Sequence, residues 1–132
     1  MFNNDGVKNA KYGAPVQILA NVELQESVGC RVPKTMGVQV GDRLIVKAGT
    51  PIHVDFTNLQ TPVTAPSSAE GAVVVANAVL LHNVDVTDTA VGGSKNGTAL
   101  IFGFVNVNRL ESDVKAKVTA GVKIGDVQFL NV

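Results

Sequence analysis

The chain is short of the residue types on which most site chemistry is built. Its 132 residues include one cysteine, two histidines, one tyrosine and no tryptophan. A lone Cys30 makes no internal disulfide and no thiolate metal site, and a cysteine nucleophile needs a base beside it. Cys30 therefore reads as a small buried hydrophobe. Charge is scarce too: 17% of residues are charged, below the usual quarter, and 11 basic residues balance 11 acidic ones. Zero net charge gives no footprint for DNA or RNA, whose phosphates require a basic face. No apolar run reaches the roughly 18 residues of a spanning helix. No basic amphipathic helix suits a membrane surface, and the opening MFNNDGVKNAKYG lacks the pattern of a signal peptide. The expectation is a protein made in the cytoplasm, with neither nucleic acid nor membrane as a direct partner. The few aromatics are too scattered for a base-stacking platform. Phe102 and Phe104 share a strand face and read as core or as a subunit contact.

What is abundant is apolar residues, 45% of the chain, and turn formers between them. The length predicts one domain with a sizeable core. Residues 1–15 are polar, without periodicity, and read as an extended N-terminal arm; residues 16–132 read as a single β-rich domain. Residues 16–24, VQILANVEL, alternate as a half-buried strand with Val16, Ile18, Ala20, Val22 and Leu24 on one face. Residues 26–41 hold Gly29, Pro33, Gly37 and Gly41 and read as a loop with at most a short strand. Strands follow at 43–47 and 52–56, and a Pro- and Ser-containing loop at 57–71. The apolar run at 72–86 is too long for one strand of a compact domain and should break near Ala76, Asn77 and Ala78. A strand–turn–strand unit then fills 78–110, with Asn96-Gly97 as the hairpin turn and 98–107 as the return strand. Asn108 reads as the N-cap of a short helix whose stripe is Leu110, Val114 and Val118, with Gly121 as its stop and a closing strand after it. The predicted class is mainly β with one short C-terminal helix, a small barrel or sandwich.

No catalytic set assembles from the residues. His82, Asp85 and Asp88 have metal-ligand types, but residues three apart on a strand point to opposite faces. His53 and Asp55 form the sole close His/Asp pair and read as ordinary strand residues. Ser67, Ser68 and Ser94 have no histidine at a sensible place. The glycines at 92, 93 and 97 lack the phosphate-loop spacing. The chain reads as no enzyme, and it implies no cofactor and no metal.

Three strings carry a resemblance: KAGTPI at 47–52, AVLLHNVDVT at 78–87 and ALIFGFVNVNRL at 99–110. In this order they resemble the capsid decoration proteins of tailed bacteriophages, of the lambda head-decoration type, whose relatives in phages of Gram-positive bacteria are sometimes labelled head-fibre proteins. The resemblance covers residues 47–132. Asn83 stands where the family string would have Asp, and residues 1–46 match no part of it. The resemblance implies a homotrimer at three-fold positions on the outer capsid surface of the virion, bound to the major capsid protein and bracing the shell against DNA pressure. It also implies an arm that orders on the capsid. Phe2, Val7, Tyr12 and Val16 are the apolar residues that such an arm would insert. The alternatives are the base of a head fibre or another virion β module, and a small β-barrel ligand-binding protein or enzyme.

Overall fold

In the computed structural model, residues 17–67 and 75–132 are described. The expected arm, and with it Phe2, Val7, Tyr12 and Val16, lies outside them. The described residues form strands β1 (Glu26–Pro33), β2 (Val38–Val40), β3 (Arg43–Val46), β4 (Pro51–Ile52), β5 (Ala78–Leu80), β6 (Val84–Asp85) and β7 (Ser94–Asn106), then the short helix α1 (Ser112–Lys115), β8 (Lys123–Ile124) and β9 (Asp126–Leu130). The protein is mainly β, and its larger sheet curls into a nearly closed, barrel-like wall. That sheet runs β4-β5-β7-β9-β8, with β1 also on β7; β2, β3 and β6 make a second, three-stranded sheet.

β7 organises the rest. It pairs antiparallel with β1 from Ser94 to Phe102, antiparallel with β5 at Ala99 and Leu100, and parallel with β9 from Phe102 to Asn106. Residues 18–20 extend the antiparallel side through Asn106 N–H to Ile18 O and Ala20 N–H to Phe104 O, 2.9 and 2.8 Å. β5 is covered on both faces. Val79 joins one buried cluster with Ile18, Leu100, Val105 and Phe129; Ala78 and Leu80 join another with Val32, Val46 and Ile52. A strand buried on both sides needs no polar alternation, which is why 78–81 reads as an unbroken apolar run. The run does break where expected: Asn77 lies between strands and holds the chain by its side chain, accepting from Val54 N–H and donating to Val54 O.

Several expectations need correction. Residues 18–24 are no strand. Ile18 and Leu19 are both buried, Leu19 alone bridges to Val105, and Val22 and Leu24 are exposed. Asn21 ends the pairing by accepting from Glu23 N–H, an Asx turn that competes with the ladder. Residues 26–33, read as loop, are the eight-residue β1. Gly29 has open space around it and Pro33 sits at the strand's end, so neither disrupts the pairing that β7 imposes. Asn96-Gly97 is no turn: both residues lie within β7, opposite Arg31 and Cys30. A Cβ at Gly97 would stand 2.8 Å from Val32 Cγ2 and 3.2 Å from Val84 Cγ2, so close packing rather than positive φ demands this glycine. The chain reverses earlier, around Thr87–Gly93, with Gly92 at φ 79° and Gly93 N–H on Ala90 O. The two strands of 78–110 are not a simple hairpin either, because β6 leaves β7 to pair with β3. Asn108 caps nothing. Asn106 caps a 3-10 turn at Val107–Arg109 by accepting from Asn108 N–H, and α1 begins after Glu111 without a side-chain cap. The stripe is as expected: Leu110 and Val114 are buried and Val118 packs on them.

Candidate docking surface

The three strings that carry the resemblance meet in space and hold one another. Gly49, at φ 90°, lies under Leu110 and Val114. Its N–H donates to Leu80 O, and Leu80 N–H returns to Thr50 O. Asn83 accepts from Ala48 N–H at 2.7 Å. Lys47 Nζ reaches Asp113 at 3.0 and 3.1 Å and Glu111 at 3.8 Å, tying β3 to α1. Burial pushes the Asp113 carboxyl up, but the Lys47 ammonium outweighs it and holds the group below its ordinary range. Arg109 donates to Leu19 O at 3.3 Å. These residues are couplings within the fold. They leave beside them a groove of about 420 Å³ between Met36, Val38, Pro51 and Val114, with Lys47 and Asp113 on its lining.

The residues with catalytic potential are engaged separately. Cys30 is buried, and burial pushes its thiol up to about 11, away from the thiolate a nucleophile needs. His53 Nδ1 lies 2.9 Å from Val75 O, while Asp55 accepts from the Thr57 hydroxyl and N–H, which hold its carboxyl low. Asp85 and Asp88 both face Arg43, at 2.8 and 3.4 Å, rather than His82, whose Nδ1 is buried with no hydrogen-bond partner. Burial raises Asp85; the Thr87 hydroxyl and the Arg43 guanidinium outweigh it and bring the carboxyl to about 2. Ser94 Oγ accepts from Arg31 Nε. Among the described residues no three His, Cys, Asp or Glu side chains gather as metal ligands.

What the surface offers instead is an aromatic pair. Phe102 and Phe104 stand outside both buried clusters, on the outer face of β7, so the core reading of these two residues is not what the fold shows. Phe102 is 42% exposed and Phe104 half-buried, with ring centroids 6.4 Å apart and planes at 67°, an edge-to-face pair. The register gives their neighbours. Phe102 lies opposite Glu26 in β1 and Asp126 in β9; Phe104 lies opposite Gln128, with Lys123 of β8 beyond it. Glu26 and Asp126 carried no signal in the sequence, since only strand pairing brings them beside Phe102. Val22 and Leu24, both about half exposed, precede β1.

Compared with family models, with curated proteins and with solved structures, the chain finds no match.

Proposed function

We propose that this protein is a non-enzymatic capsid decoration protein of a tailed bacteriophage. It binds the major capsid protein on the outer surface of the virion, as a homotrimer at three-fold positions, and stabilises the shell against the pressure of packaged DNA. The observation that carries the reading is that the three resembling strings are one connected unit. Ala48 meets Asn83, Gly49 meets Leu110, and Leu80 meets Thr50, so their co-occurrence in the sequence reflects a shared folding solution. A clip works by burying area across several subunits, and three copies acting together multiply modest contacts through effective concentration. A rigid β scaffold with an exposed aromatic pair suits such work, since aromatic anchors dominate protein interfaces.

The test is occupancy. Full-length protein and a form lacking residues 1–15 are added to expanded capsids, and bound copies are counted by electron microscopy. The expected result is density at three-fold sites with the full chain and none with the shortened one, both remaining folded. Density elsewhere, as a protrusion, would move the reading to a head-fibre base, and equal occupancy of the two forms would remove the arm from it.

A further inference from the structure

We propose that the outer face of β7 around Phe102 docks a segment of another protein that presents arginine or lysine side chains. The ring of Phe102 is exposed and packs edge-to-face with that of Phe104. Residues directly opposite each other on paired strands point to the same face, with Cβ atoms roughly 5 Å apart. Glu26, just past a shift in the β1 register, and Asp126, in the parallel pairing with β9, therefore flank Phe102 on its two sides. Both are exposed. The ion pairs among the described residues are made by Arg43 and Lys47, so among those residues neither Glu26 nor Asp126 is ion-paired. In a chain of zero net charge two carboxylates here face one lysine in register, Lys123 of β8, which lies opposite Gln128 and three residues before Asp126.

An aromatic face between two carboxylates selects its ligand. A guanidinium or ammonium is attracted by the ring's negative face. A guanidinium also has five N–H donors in a fork that matches carboxylates, so it can stack on the ring and reach Glu26 or Asp126 in one plane. Acidic segments and nucleic acid meet repulsion here. The mode of docking follows from the sheet. At Phe102 the strand is paired on both sides, by β1 and by β9, so its edges are filled. The partner lies across the face and binds through side chains, not by adding a strand. This goes beyond the capsid reading and does not depend on it, because it names the chemistry of the contact and not the particle.

The probe is a short alternating peptide of arginine and valine, with its glutamate–valine counterpart as control, titrated into the full chain labelled for NMR. The expected result is saturable shifts centred on Glu26, Phe102, Gly103 and Asp126. Binding should weaken about fivefold or more in Phe102→Ala and in the Glu26→Gln, Asp126→Asn double variant, and also as salt is raised to about 0.5 M. These side chains are exposed, so the variants keep the fold, and unchanged shifts elsewhere verify it. No saturable shift at this face, an equal response to the glutamate peptide, or shifts centred on the groove beside Lys47 would each overturn the proposal.

Discussion

Gly49 must do two things at once: adopt φ 90° and leave room for Leu110 and Val114. Alanine meets both obstacles, a left-handed backbone and a methyl driven into Leu110. Gly49→Ala should cost about 2–4 kcal/mol of stability, read from urea denaturation. The penalty should shrink in a Leu110→Ala background, because part of it is the collision. Additive losses would show that the backbone alone sets the cost. Asp85 gives a second test. Its folded value, about 2, lies below the ordinary 3.8, so the folded state favours the carboxylate. The stabilisation is complete above about pH 4 and is lost as the pH falls through about 2. Its side chain is 22% exposed and partly screened, so the contribution is on the order of 1 kcal/mol. Urea midpoints across that window should fall less steeply for Asp85→Asn than for the parent; identical slopes would assign the acid sensitivity to other carboxylates.

At the scale of elements, β7 is the strand on which the others depend. Gly97→Ala places a methyl against Val32 and Val84 and should destabilise by about 1–3 kcal/mol. A glycine serving a two-residue turn would give a different result, with the strain confined to a loop and amide exchange of the flanking strands little changed. Hydrogen exchange decides: amides of β7 and its partners in β1 should lose protection together. Elements were unevenly legible in the sequence. The stripe of Leu110, Val114 and Val118 announced the apolar packing, since periodicity is a local property, but not the helix length. α1 is only Ser112–Lys115, with Leu110 and Val118 outside it and Gly121 well past its end. The break near Asn77 was legible from geometry, since a longer strand would outgrow the molecule. β1 was hidden by Gly29 and Pro33, whose loop preference is overridden by eight residues of pairing with β7. Asn96-Gly97 misled for the converse reason: a strong local turn signal lies where the surrounding core needs a side chain of no size. Residues 18–24 alternate on paper, yet an Asx turn at Asn21 takes over.

At the scale of the molecule, the two buried clusters share strands. Val79 and Leu100 belong to one, Leu80 and Ala99 to the other. Val79→Ala and Leu80→Ala should therefore each lower a single unfolding transition, the leucine change by about 2–5 kcal/mol, with calorimetric and circular dichroism midpoints coincident. Two separated transitions would mean that the clusters fold apart. The candidate docking surface was half legible. Phe102 and Phe104 stood out by their spacing, but Glu26 and Asp126 lie far away along the chain, and no local pattern joins them to the rings. The attachment of residues 18–20 has a mechanical consequence. Ile18 and Ala20 are bonded to the end of β7, and Arg109 holds Leu19 O from the 3-10 turn beyond it. A tug on residue 17 along the strand axis loads these bonds in parallel, as shear, so they must yield together instead of peeling apart one at a time. Tension applied at that point passes directly into β7, the longest strand among the described residues.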